Sequence, residues 1–514
     1  MPERAAHPEA TPAEAASPRL AWAGRCAGPP LALLVFFLLP SSLPFPTRAA
    51  AAVMTLMGAL WMTEALPLAA TSLLPLVLFP LLGVLTVQQA AEPYADKVIF
   101  LFLGGFLIAL AMERSGLHRR IALRAILLFG TTPRRLIAGS MIATAFLSCW
   151  ISNTASAMMM LPIGLSMAGL LRSRLAQNGA DPAAEKEVRR FEVGLLLGIG
   201  YAASVGGLGT PIGTPPNLVL QAFLERELGA EVPFAQWMLM AMPLVVVMLA
   251  ALWAMLCFVL FRVSIREIPG GRDLIRSELV QLGPIGVQEK VVLAVFLSAA
   301  FAWIARDPLT RWDWFANTAP FIRRVDDTVI AVAAALILFT IPISRKRVGV
   351  LEWADTERLP WGVLLLFGGG LSLAAAMKAS GLDAWIGEQA VGLGSLPTPL
   401  LILGICAMVV LLSEFGSNTA VAATFLPVIA GVAVAIGVDP MLLLLPAALA
   451  ATCGFMLPAG TPPNAIVFGS GKIQIHEMVR AGFLLDIIGI VLITALMYTV
   501  APLVLDFAHP ATQP

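Results

Sequence analysis

The chain has 514 residues, of which 59% are hydrophobic and only 13% charged, with a mean hydropathy of +0.86 and a formal net charge of +1. Roughly a quarter of a soluble domain is charged, so this composition excludes a soluble globular, disordered or secreted disulfide-framed protein. The near-neutral balance gives no support to nucleic-acid binding through a basic field.

Residues 1–28, rich in Ala, Pro and charge, are expected to form a disordered cytoplasmic tail. The apolar run Leu31–Leu39 follows Arg19 and Arg25. No clear A-x-A-like cleavage site follows it and many spans do, so 29–48 reads as an uncleaved first transmembrane helix. Apolar stretches then recur near 49–66, 70–87, 97–113, 134–171, 192–224, 233–262, 289–305, 327–343, 361–379, 399–438, 441–472 and 479–508. Runs such as 233–262 and 479–508 are long enough to cross a hydrocarbon core of about 30 Å. Others are too long for one span and are broken by Gly, Pro, Ser and Asn. The polar stretches 172–190 and 263–288 read as extramembrane loops, and 509–514 as a C-terminal tail. Cys26, Cys149, Cys257, Cys406 and Cys453 form no CxxC pair, and His7, His118, His476 and His509 are dispersed, so no zinc or disulfide framework is expected.

The chain repeats itself. Phe102 to Gly105, then Met112-Glu113-Arg114-Ser115-Gly116-Leu117, recur as Leu366 to Gly370, then Met377-Lys378-Ala379-Ser380-Gly381-Leu382. At the same displacement Ser152-Asn153-Thr154 recurs as Ser417-Asn418-Thr419, each copy followed by Ala and later by Pro162 or Pro427. Gly213-Thr214-Pro215-Pro216-Asn217 recurs as Gly460-Thr461-Pro462-Pro463-Asn464, at a shorter displacement because the polar loop 172–190 lengthens the first copy. The repeats are placed at 49–262 and 289–508. Residues 114–135 carry six arginines and should be cytoplasmic, whereas 379–398 has no Lys or Arg and should lie outside. The halves are therefore expected to be inverted, with the N-terminus inside and the C-terminus outside. Arg345-Lys346-Arg347 agrees; Arg306, Arg311, Arg323 and Arg324 fall on a loop this arrangement puts outside and fit it poorly.

Inverted repeats with interrupted helices mark secondary transporters, whose site lies where the repeats meet. Non-helical backbone is tolerated at membrane depth only where protein buries it or a cavity adjoins it, and Thr-Pro-Pro-Asn breaks a helix twice over. A lone Ser, Thr or Pro in a membrane helix reads as backbone bonding, helix glue or a kink; paired elements in matching order do not. Free carbonyls and hydroxyls suit a small hard cation, and helix N-termini with Asn and Thr suit an anion. Gly104-Gly105 and Gly368-Gly369-Gly370 read as helix-packing positions, and Met158-Met159-Met160 as wall packing. Glu64, Lys378, Glu414 and Asp486 are charges at membrane depth that need a cavity or a partner; Glu414 is either a proton or cation site or simply paired near a helix end. No Arg or Lys lies within the four breaks, so a bound anion needs helix dipoles and co-bound cations. No nucleophile–base pair or metal cluster stands out, so no enzyme is expected.

The paired Ser-Asn-Thr and Gly-Thr-Pro-Pro-Asn elements and Thr63-Glu64-Ala65-Leu66-Pro67 resemble the divalent anion/sodium symporter family, over most of residues 49–508. Thr452 to Val467 is similar to the family signature, with Thr452 where serine is usual. The resemblance implies an all-α membrane protein of about eleven transmembrane helices. These would form two inverted repeats with two re-entrant hairpins, arranged as scaffold and elevator domains of a homodimer. It implies one sodium at Ser148, Ser152, Asn153 and a carbonyl near Gly207 or Gly213. It implies a second at Ser413, Gly416, Asn418 and the Gly460 carbonyl, with Ser413 where threonine often stands. Asn153, Thr154, Thr214, Pro215, Asn418, Thr419, Thr461 and Pro462 would surround the substrate. The implied activity is sodium-coupled uptake of a di- or tricarboxylate such as succinate, malate, fumarate or citrate, with Na+ co-transported and no other cofactor. Sulfate or a related oxyanion, or sodium-independent exchange, are the alternatives. High Ala, Leu, Arg and Pro content suggests a GC-rich bacterial genome, and with it a bacterial inner membrane.

Overall fold

The structure is a computed structural model that describes residues 18–130, 132–177, 182–263, 270–343 and 349–505. The expected tail before residue 18, Arg345-Lys346-Arg347 and the tail 509–514 lie outside the described residues. Among the described residues every regular element is helical, which is what a bilayer demands of a spanning chain that is not a closed barrel.

Helix α1 spans Pro18–Leu38 and α2 spans Phe45–Met62. The tail and first-helix boundaries at 28, 29 and 48 therefore differ from the structure: helix begins at Pro18, and a break separates Leu38 from Phe45. Proline fits a helix's first turn, and Pro40 and Pro44, lacking an N–H, suit the break. Residues 18–28 are helical because they have a partner. Gly28 lies against Leu56 and Leu60 of α2, and the Arg25 guanidinium donates to the Ala65 carbonyl at 2.6 Å.

Short helices Leu68–Thr71, Leu74–Leu81 and Val87–Ala91 lead into the first half. There α3 is Lys97–Ser115, α4 Leu117–Phe129, α5 Pro133–Ser148, α6 Asn153–Gln177, α7 Pro182–Gly207, α8 Pro215–Leu228 and α9 Phe234–Ala254, extended by a π-helical turn over Met255–Leu260. Next come α10 (Gly271–Gln281), α11 (Val287–Arg311) and α12 (Asp327–Thr340). The second half runs α13 (Trp361–Ser380), α14 (Leu382–Ala390), α15 (Thr398–Phe415), α16 (Asn418–Ala435), α17 (Pro440–Ala451), α18 (Pro462–Gly469) and α19 (Ile475–Thr499). Among the described residues nine helical segments are long and apolar enough to cross a membrane, and three shorter apolar ones accompany them.

The element order is the same in both halves. Helices α3 and α13 both stop at a left-handed glycine, Gly116 (φ 76°) and Gly381 (φ 69°), a conformation that glycine adopts without a Cβ penalty. A short helix, a hairpin, a broken helix and a long helix follow each time. The expected loop 172–190 is largely helical instead, because α6 runs to Gln177 and α7 begins at Pro182. An Arg172–Glu192 ion pair of 2.7 Å links the two helices there. Within 263–288, α10 is likewise an ordered helix.

Glycines set the helix approaches, as expected. A Cβ on Gly104 would lie 2.6 Å from the Ala331 carbonyl carbon of α12, and one on Gly369 would lie 2.6 Å from the Ser72 carbonyl oxygen. Phe234 stacks on Trp303 at 4.6 Å, and Trp150 at the first hairpin meets Phe296 edge-on at 4.9 Å. Buried Arg120 pairs with Glu289 at 2.6 Å and donates to the Gly283 carbonyl at 2.9 Å, joining α4 to α11.

Candidate functional site

Each hairpin tip is made by a short break between two helices. In the first, α5 ends at Ser148 and α6 starts at Asn153, with the Ser152 hydroxyl accepting the Ala155 N–H at 3.1 Å as a helix cap. In the second, Gly416 is fully extended (φ −146°, ψ 175°) between α15 and α16. That tip abuts the end of α2, since a Cβ on Gly416 would meet Met62 at 3.5 Å. The stretch Thr63–Pro67 therefore starts beside the second tip, with Glu64 in a left-handed conformation (φ 46°).

Opposite each tip stands the gap of a broken helix, 208–214 between α7 and α8 and 452–461 between α17 and α18. Thr214 and Thr461 are the extended residues that start α8 and α18, and the prolines occupy the first turn, where no N–H is needed. The asparagine that ends each motif closes the gap. Asn217 Nδ2 donates to the Gly207 and Thr210 carbonyls at 3.2 and 2.9 Å; Asn464 Nδ2 donates to the Gly454 and Leu457 carbonyls, both at 3.1 Å. Neither asparagine stood among the expected site residues. Their place in a motif that occurs twice was the signal that both halves use them alike.

Oxygens converge at the first tip. Ser148 Oγ and the Asn153 amide are 2.6 Å apart, and the amide also faces the Gly213 and Ala203 carbonyls at 3.2 Å. A Cβ on Gly207 would lie 2.6 Å from Asn153 Oδ1, so only glycine admits the amide here. Four oxygen-bearing groups around one point need a donor or a cation among them. The Asn153 nitrogen fills that role in the amide orientation that satisfies its neighbours, where it faces Ser148 Oγ and the Gly213 and Ala203 carbonyls.

The second tip repeats the serine hydroxyl and the asparagine amide at Ser413 and Asn418. Ser413 Oγ, Asn418 Oδ1, Thr452 Oγ1 and Asn464 Oδ1 are buried with no hydrogen-bond partner among the described residues. Unpartnered buried oxygens are costly unless something electropositive meets them, and a hydroxyl, an amide oxygen and carbonyls are the donor set of a hard cation. A Cβ on Gly460 would lie 3.2 Å from the Gly454 carbonyl and 3.3 Å from Glu414 Oε2. Glu414 is fully buried and accepts the Met456 and Leu457 N–H groups at 2.8 Å each, while Asp486 accepts the Phe455 N–H at 3.2 Å. Lys378, by contrast, is exposed at the end of α13 and pairs with Glu227 at 3.2 Å.

Of the expected residues, Ser148, Asn153, Gly207 and Gly213 touch one another. Ser413 and Gly460 are joined through Gly454, which the expected set did not include, and Gly460 also lies against Glu414. Ser152 is an exposed helix cap, and Thr461 Oγ1 caps α18 by accepting the Asn464 N–H at 3.4 Å. Thr154, Pro215 and Pro462 are half-buried, Thr214 and Thr419 buried. Packing across the halves links the clusters: α18 packs on α6 and α7, and α8 packs on α16 and α17. Gly200 lets α7 close on α18, its Cβ position being 2.9 Å from Val467.

Comparison with known proteins agrees with this architecture. A chain from Staphylococcus saprophyticus named sodium-dependent dicarboxylate transporter SdcS is 45% identical over 456 residues, 88% of this chain and 86% of the relative. A Staphylococcus aureus protein of the same name is 43% identical over 486 residues, 94% and 91% of the two chains. Among solved structures, the YdaH transporter of Alcanivorax borkumensis superposes with a TM-score of 0.56 at 16% identity, over 88% of this chain and 98% of that one. MtrF of Neisseria gonorrhoeae gives 0.53 at 12% identity, over 90% and 96%. The family description "Sodium:sulfate symporter transmembrane region" matches residues 26–505. Spanning almost the whole chain, that match makes this protein a multi-pass membrane transporter of the sodium:sulfate symporter family.

Proposed function

We propose that the protein is a secondary symporter that uses a sodium gradient to import a di- or tricarboxylate of the size of succinate, malate, fumarate or citrate. The observation that carries this reading is the pair of buried oxygen clusters at the hairpin tips, with no Lys or Arg in any of the four breaks. A dianion bound there has no basic side chain to neutralise it, so it must enter with cations. Relatives at 43–45% identity carry the name sodium-dependent dicarboxylate transporter, which favours carboxylates over sulfate.

In this mechanism sodium at Ser148, Asn153 and the Gly207 and Gly213 carbonyls, and at Ser413, Gly416, Asn418 and the Gly460 carbonyl, turns the Asn153 amide and stiffens both tips. The N-terminal ends of α6 and α16, with Thr154 and Thr419, then face the carboxylates, and helix dipoles stabilise the negative charge. Thr214, Pro215, Thr461 and Pro462 close the site from the broken helices. Binding cations and dianion together lowers the cost of moving the charged site through the bilayer. The halves are taken as inverted repeats of an eleven-helix chain, N-terminus inside and C-terminus outside, in a bacterial plasma membrane. The body bearing both tips moves as an elevator against a frame that dimerises.

Radiolabelled succinate uptake into proteoliposomes, with external sodium or choline, tests the reading. Sodium-dependent accumulation should appear in the wild type and be lost in both Asn153→Ala and Asn418→Ala. Sodium-indifferent uptake driven by internal dicarboxylate would replace symport by exchange. Sulfate accumulation without succinate flux would overturn the substrate.

A further inference from the structure

At one end of the molecule the N-terminal parts of α7 and α19 meet the end of the π-helical turn that extends α9. Lys186, Arg189 and Arg190 from α7, His476, Glu477 and Arg480 from α19, and Leu260 and Phe261 enclose an open cavity of about 300 Å3. No part of the transport site lies there. The one carboxylate in its wall is already engaged: Glu477 accepts Arg189 Nη2 at 3.0 Å and the Gln474 N–H at 2.8 Å. Among the described residues, Lys186, Arg190 and Arg480 have no carboxylate at ion-pair distance. The N-terminal end of α19 adds positive potential to theirs.

What adjoins the cavity narrows the ligand. His476, Arg480, Phe483, Ile487 and Val491 recur at helical spacing along one face of α19, and the last three are 54%, 44% and 53% exposed. On the neighbouring wall Phe258 and Val259 are also exposed, at 45% and 59%. The cationic mouth thus opens onto an exposed apolar strip. A free anion would use only the cations; a phospholipid with a negative headgroup uses both.

We infer that this cavity binds the headgroup of an anionic phospholipid, with its phosphate between Lys186, Arg190 and Arg480 and its acyl chains along Phe483, Ile487 and Phe258. Basic pockets between membrane helices recognise lipid phosphates in this way. The site lies where the ends of α6, α7, α9 and α19 emerge, so a lipid there would brace the body carrying the first tip.

The test offers delipidated full-length protein in detergent equal amounts of phosphatidylglycerol and phosphatidylcholine, and counts the retained lipid by mass spectrometry. Wild-type protein should retain phosphatidylglycerol preferentially. Each basic side chain near a membrane surface is worth about 1 kcal/mol, so Arg190→Ala/Arg480→Ala should lower that preference roughly thirtyfold, with the melting temperature confirming that the variant folds. Equal retention of the two lipids by the wild type overturns the inference without any variant, as does an unchanged preference in the folded double variant. Displacement of the lipid by millimolar inorganic phosphate would make this a simple anion site and also overturn it.

Discussion

Glu414 shows how the two tips differ at the scale of single residues. The repeat places Cys149 at the corresponding position of the first half, where its thiol donates to the Gly206 carbonyl at 3.2 Å and Trp237 donates to the Leu208 carbonyl at 3.0 Å. The first gap is therefore held by neutral donors aimed at carbonyls. The second is held by two carboxylates, Glu414 and Asp486, that accept three amide N–H groups. Glu414 is thus bonded to backbone, as its paired reading expected, and stands next to Gly460. A charge-assisted hydrogen bond contributes about 1.5–3 kcal/mol, so Glu414→Gln should raise the sodium concentration for half-maximal uptake about tenfold or more. The succinate KM at saturating sodium should change little; an unaltered sodium curve would show that Glu414 does not shape the second site. The asparagines and hydroxyls were legible from the doubled motifs. The partners of Glu414 were not, because the amides it receives lie some forty residues away.

At the scale of elements, the glycine pairs and the helix breaks carry the architecture. Gly104 meets the backbone of α12 with no room for a methyl group. Forcing bulk into a packed contact costs about 1–3 kcal/mol, so Gly104→Val should lower the melting temperature in detergent by several degrees and reduce the folded yield. An unchanged melt would mean that α3 and α12 separate easily. The buried Arg120–Glu289 pair gives a sharper test, since removing one partner strands the other charge at a cost of about 3–5 kcal/mol. Glu289→Ala should therefore destabilise the protein more than Glu278→Ala, which removes the exposed pair of Arg119; equal losses would refute the burial argument. Hairpins and broken helices were readable as apolar runs interrupted by Ser-Asn-Thr and Thr-Pro-Pro-Asn. The early start of α1 and the helical course of 172–177 and 182–190 were not, because α2 and the Arg172–Glu192 pair decide them.

Over the whole molecule, the far end of α8 is fastened by charge. Lys97 pairs with Glu225, Glu92 with Arg226 at 3.8 Å, and Lys378 with Glu227 at 3.2 Å. These contacts join a helix that leaves the first gap to α3, to α13 and to the turn at Glu92. If the tips move as one body against those helices, the pairs must part in each cycle. Partly exposed pairs are worth about 0–1 kcal/mol each. Lys378→Ala should accordingly change the maximal uptake rate by no more than about fivefold and leave the sodium dependence in place. A shifted sodium dependence would instead connect Lys378 to ion binding.

The sequence alone determined that the chain lives in a bilayer, that it carries the same breaks twice, and that those breaks hold oxygens without basic side chains. Composition, periodicity and proline act locally, so they can be read without knowing what packs where. Tertiary structure alone decided which oxygens meet. Asn217 and Asn464 close gaps across carbonyls seven and ten residues away, α8 and α18 each pack on the opposite half, and two carboxylates hold only the second gap. Hydrogen bonds over such separations depend on the folded path of the backbone, which no local pattern encodes.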